Sequence, residues 1–145
     1  MKALRLFTIV SPALAMSLVF SQVNLAQTPK IEISRNLAND PIIINGESLQ
    51  TVPSNCGNIT PIPNQVIKVT ESLPYLRLTV ESKGNPTLLV DGPGGRFCLL
   101  PDDYSGQKPE LSGYWQAGEY SLYVGDLSEK KYSYTLSISQ QHHPK

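Results

Sequence analysis

Apolar and polar residues alternate with a period of two in short runs along most of the chain. The clearest run covers residues 75–81, where Leu76, Leu78 and Val80 fall on one side and Arg77, Thr79 and Glu81 on the other. Residues 132–139 repeat it, with Tyr132, Tyr134, Leu136 and Ile138 facing one way and Ser133, Thr135, Ser137 and Ser139 the other. Tyr120, Leu122 and Val124 mark a third such face. Alternation over about four to eight residues describes a strand with one buried and one wet side. Shorter apolar runs predict strands over residues 30–35, 41–44, 66–70 and 87–90. The run at 41–44 is closed by Asn45-Gly46, a hairpin signal. That at 87–90 is closed by Asp91, Gly92, Pro93, Gly94 and Gly95, after which residues 96–100 resume as the second arm of a hairpin with a long glycine-rich loop.

About eight short strands separated by turn chemistry, with no convincing helical period, predict an all-β domain. One buried and one wet face per strand is what two packed sheets need. The expectation is therefore a single antiparallel β-sandwich, jelly-roll-like, over residues 27–139. Residues 140–145 are polar and expected to fray as a disordered tail.

The start of the chain follows a different pattern. Lys2 and Arg5 precede an uncharged, largely apolar stretch over residues 6–20, followed by Ser21, Gln22, Asn24 and Ala26. A charged start, an apolar core and small residues near the end describe a secretory signal peptide. It is expected to be cut after Ala26, with Ser21 as the other candidate. The stretch is short of the ~20 residues of a spanning helix and is broken by Ser11, Pro12 and Ser17, so the processed chain is not expected to span a membrane. With no cysteine after the apolar core, a lipid anchor is not expected either. The expected location is periplasmic or secreted.

The chain has 12 basic and 12 acidic residues, and losing Lys2 and Arg5 leaves ten basic against twelve acidic. That balance offers no basic stripe for nucleic acid and little attraction to an anionic membrane. Cys56 and Cys98 are the only cysteines. In an exported chain an even pair points to a disulfide, and two cysteines without neighbouring histidines are too few for a zinc site.

Residues 86–138 carry a more specific pattern. It comprises Thr87 to Val90, Gly92 and Gly94, Cys98, Asp102 and Asp103, then Pro109, Leu111, Gly113, Trp115, Ala117-Gly118, Tyr120, Leu122, Val124-Gly125, and finally Tyr134, Leu136 and Ile138. This resembles the secreted bacterial domains similar to the pre-peptidase C-terminal domain, over roughly the C-terminal half of the processed chain. One departure is that Leu99, Leu100 and Pro101 separate Cys98 from the acids, which stand closer in the family. The resemblance implies a sandwich fold and an exported setting. Relatives of this kind are either fused to peptidases or stand alone, so it says little about activity.

Candidate chemistry is sparse. The only histidines, His142 and His143, lie in the expected tail, where no imidazole is held in reach of a nucleophile. No phosphate loop or His-x-x-x-His pair occurs. The expectation is a non-enzyme without a required cofactor. Asp91, Asp102 and Asp103 are candidate calcium ligands, although calcium wants about six to eight oxygens and acids in turns commonly cap their own backbone. Tyr104, Tyr114 and Trp115 are a candidate ligand surface, since aromatic rings beside hydrogen-bonding groups suit sugars or peptides. These features predict an exported accessory or binding module for a glycan, envelope polymer or protein. The alternative is a structural or inhibitory partner of an envelope peptidase.

Overall fold

The computed structural model describes residues 28–102, 106 and 108–143. The signal-like segment over residues 1–26 lies outside them, as do Asp103 and Tyr104. The described residues form strands β1 (Lys30–Ile33), β2 (Ile42–Ser48), β3 (Val52–Ser54), β4 (Gly57–Ile59), β5 (Gln65–Val69), β6 (Leu73–Glu81), β7 (Pro86–Gly92), β8 (Gly95–Leu99), β9 (Glu110–Trp115), β10 (Gly118–Asp126) and β11 (Tyr132–Ser139).

These strands make two sheets. In the seven-stranded sheet β10 is the spine: one side carries β5 and β4 end to end, and the other carries β7 followed by β8. Strand β1 adds to β5 in parallel, and β3 adds to β4. The four-stranded sheet runs β2-β11-β6-β9, antiparallel throughout. The arrangement is an all-β sandwich.

The alternating residues explain why the two sheets face each other. Leu76, Leu78 and Val80 on β6, with Leu136 and Ile138 on β11, are fully buried. They meet Ile67 and Val69 of β5, Leu88 and Val90 of β7, and Leu122 and Val124 of β10 in one core. Burying each such side chain contributes about 1.5–3 kcal/mol. The outward partners, Thr79, Thr135 and Ser137 among them, stay partly exposed on the other face.

Four expectations are corrected. The described residues form eleven strands rather than about eight: β3 and β4 are only three residues long, and β9 (Glu110–Trp115) alternates poorly around Ser112 and Gly113. Asn45-Gly46 is not a turn, because β2 runs straight through it and Gly46 pairs with Tyr134. A Cβ at position 46 would collide with the Tyr134 ring, so this glycine serves packing. The β7–β8 loop is short, because the strands extend to the Gly92–Gly95 pair and leave only Pro93 and Gly94 between them. Finally, the β1–β5 pair is parallel at the margin of an otherwise antiparallel assembly.

Candidate functional site

One open side of the sandwich brings together the edge strand β8 of one sheet and the edge strand β9 of the other. Trp115 closes β9 with its indole buried, 4% exposed. Its N–H donates to the Leu76 carbonyl at 3.1 Å, and its ring meets Tyr120 edge-on with centroids 4.7 Å apart. The Tyr120 hydroxyl in turn donates to the Gln116 carbonyl at 2.8 Å. Burial raises the Tyr120 pKa above 10.0, and the nearby Tyr114 phenol pushes it in the same direction. Every polar atom of the Trp–Tyr pair is thus committed inward, and the rings alone face out.

Over this pair opens an aromatic mouth of about 240 Å³. Phe97 from β8, 50% exposed, and Tyr114 from β9, 68% exposed, stand on its rim. Leu111 forms part of the wall, and Ser112 and Gln116 supply uncharged polar atoms. Among the described residues that line the mouth there is no Asp, Glu, Lys, Arg or His.

The outer face of the four-stranded sheet is of opposite character. It holds a wide trough of about 1010 Å³ lined by Arg77, Thr79, Glu81, Lys108 and Glu110. Lys108 pairs with Glu81 at 2.6 Å. The tail expected over residues 140–145 begins on this side, and residues 140–143 are described against the sandwich. The Gln140 side chain accepts from the Asn36 and Leu37 amides and donates to the Ser34 carbonyl. His142 stacks on Tyr75 with centroids 3.7 Å apart. His143 sits between Arg77, at Nδ1, and Glu110, at Nε2.

The predicted residues are therefore spread over several places. Cys56 and Cys98 form a disulfide. Tyr114 and Trp115 share the mouth, one as exposed rim and the other as buried wall. Asp91 pairs across the β7–β8 hairpin with Arg96 at 3.0 Å, whereas Asp102 follows the far end of β8 and lines the trough. Asp91 is thus engaged at the hairpin while Asp102 lies along the trough. Among the described residues no three His, Cys, Asp or Glu side chains stand close enough to hold a metal ion. Sequence reasoning missed Phe97 and Gln116 at the mouth. Phe97 is the one aromatic residue of a strand whose other members are Gly95, Arg96, Cys98 and Leu99, and its exposure gives no periodic signal.

No family model matches the chain. A stretch of 90 residues is 40% identical to an uncharacterized protein of Synechococcus elongatus, covering 59% of this chain and 66% of that protein, just under two thirds of its length. Among solved structures, the chain is similar to the pre-peptidase C-terminal domain of a Bacillus anthracis collagenase. The TM-score is 0.50 at 14% identity, over 76% of this chain and 94% of that one. Periplasmic inhibitors of g-type lysozyme from Escherichia coli and Salmonella Typhimurium score 0.43 and 0.44, at 13% and 11% identity, over 78% of this chain and 98% of each. Fold and bridge define the class: a disulfide-pinned β-sandwich. The collagenase domain, met at the level of fold alone, is the neighbour that the sequence pattern over residues 86–138 led one to expect.

Proposed function

We propose that the chain is an exported, non-catalytic binding module of the cell envelope or extracellular space, with the aromatic mouth between β8 and β9 as its binding surface. The observation that carries this reading is the pair of exposed rings, Phe97 and Tyr114, standing over a rigid buried Trp115–Tyr120 floor. Exposed aromatics on a fixed support are the usual anchors of recognition. The signal-like start and the disulfide both fit an oxidising compartment outside the cytoplasm. A non-catalytic role fits the histidines: His143 has both ring nitrogens engaged by Arg77 and Glu110, and His142 is stacked on Tyr75. Neither addresses a nucleophile.

The test is thermal unfolding of the disulfide-bonded chain with calcium, soluble glycans, peptidoglycan fragments and peptides. A ligand of the mouth raises the melting temperature by mass action, and Phe97→Ala with Tyr114→Ala removes the shift. A ligand whose stabilisation survives both substitutions would place the binding surface elsewhere.

A further inference from the structure

We infer that the mouth and the free edge of β9 together take an extended peptide, which adds as a strand to β9 and places one bulky uncharged side chain in the cavity. This rests on the reading of the mouth as the binding surface and names its partner class. Among the described residues β9 pairs only with β6, and its outer row of N–H and C=O groups has no strand partner there. Proteins usually guard such edges with charge, proline or bulges. The other outer strands carry such guards: Lys30 and Glu32 on β1, Glu47 on β2, Pro53 on β3, Arg96 on β8. The Ser112–Trp115 half of β9 carries neither charge nor proline, and the register irregularity opposite it, between Leu73 and Leu76, has its extra residue on β6 and not on β9.

Gly113 sharpens the argument. Its φ of +134° is one that residues with a side chain rarely adopt, and among the described residues nothing stands within 4 Å of where a Cβ would project. A glycine within a strand often marks close approach of another backbone. The cavity beside it, about 240 Å³, is smaller than the roughly 300–1,000 Å³ of a small-molecule pocket and of the order of one large side chain. Leu111, Ser112, Tyr114 and Trp115 of β9 itself line it, so a strand laid along β9 presents alternate side chains to it. Strand addition works in this way: main-chain bonds supply affinity and side-pockets supply selectivity. An uncharged lining selects against charged side chains, whose desolvation nothing in the mouth would offset. A sugar ring would stack on Tyr114 but would leave the strand edge unused.

The experiment selects binders from a random heptapeptide library on the disulfide-bonded chain and follows the synthesised peptides by Trp115 emission, the chain having one tryptophan. The expected binders carry a central Phe, Leu, Tyr or Trp in an alternating context. Replacing that residue by Ala, N-methylating the peptide backbone on its pairing side, or introducing Tyr114→Ala each weakens binding by about tenfold or more. Binders indifferent to N-methylation, or a library that yields none, overturn the inference. Cellotetraose and chitotetraose run in parallel separate the two levels. Saccharide binding that Tyr114→Ala abolishes, without peptide binding, overturns strand addition and leaves the mouth as a binding surface. Failure of both ligand types overturns that reading as well.

Discussion

Gly84 covers the carboxylate of Asp126: a Cβ at position 84 would stand 2.5 Å from Oδ2. Asp126 is completely buried, and its other oxygen, Oδ1, accepts from the Ser128 amide at 2.9 Å, the Glu129 amide at 2.7 Å and the Ser128 hydroxyl at 3.2 Å. That cap fixes the turn from β10 into β11. Oδ2 has no hydrogen-bond partner among the described residues, so the turn depends on a neighbour that approaches closely without adding bulk. Gly84→Ala must push the carboxylate aside and loosen the cap, at a cost of about 1–3 kcal/mol. Gly94→Ala is the control, because its Cβ would meet only Phe97 at 3.8 Å, and it should stay within about 0.5 kcal/mol. Urea unfolding of the two variants checks the contrast.

Adjacent residues 114 and 115 should behave oppositely. Trp115→Ala empties a core position and should cost about 3–5 kcal/mol. Trp115→Phe keeps a ring but leaves the Leu76 carbonyl without its indole donor, a loss of about 1–3 kcal/mol. Tyr114→Ala removes a side chain that is 68% exposed and should change stability by no more than about 0.5 kcal/mol. Denaturation midpoints for the three variants decide it. A large loss at Tyr114 would mean that its ring supports the sandwich and is no free rim of the mouth.

How much of this was legible in the sequence follows from what each element depends on. Strands β6, β10 and β11 were plain, because every second residue must be apolar to fill a two-sheet core. Strand β9 was hidden: Ser112 and Gly113 break the alternation, and the strand is held by its pairing with β6 and by the Trp115 anchor. Strands β3 and β4 are too short for periodicity, and they are placed by the pairing of β3 with β4 and of β4 with β10, with the Cys56 tip tied to β8. The Asn45-Gly46 pair misled for a physical reason. Glycine answers two needs, a tight turn and a close neighbour, and only the fold says that Gly46 faces the Tyr134 ring. Half of the candidate site could be read, because Tyr114-Trp115 is conspicuous in sequence. Phe97 could not, since the two rims come from different sheets and meet only when the sandwich closes.

The disulfide should protect one region more than the rest. Cys56 lies in the β3–β4 turn and Cys98 on β8, 42 residues apart, so the bridge ties the tip over β7. The Thr87 hydroxyl donates to the Cys56 carbonyl at 2.6 Å, holding the same tip from beneath. Replacing both cysteines by Ala should cost up to about 4 kcal/mol by the chain-entropy argument. Hydrogen exchange should rise first in β3 and β4, with β6 and β11 retaining protection longest. Uniform acceleration across both sheets would show that the bridge acts on the unfolded chain alone.

Stability should fall on the alkaline side, where exposed tyrosines of ordinary pKa would leave it unchanged. Tyr120, Tyr132 and Tyr134 all have their pKa raised above 10.0. Burial is the main cause in each. At Tyr132 a hydrogen bond with Ser48 opposes the rise while Asp126 and Tyr134 add to it, and at Tyr134 a hydrogen bond with Asn64 opposes it. The unfolded chain ionises these phenols near their ordinary value of about 10, whereas the folded chain holds the protons to higher pH. The folded state therefore keeps this stabilisation in full below about pH 10 and loses it as the pH climbs through the raised values. Melting temperature followed together with phenolate absorbance should stay flat with respect to these groups to about pH 9 and then drop as absorbance rises. Tyr134→Phe removes one of the three groups, so its alkaline drop should be shallower. An unchanged slope in that variant would assign the alkaline loss to groups other than the buried tyrosine at the end of the core.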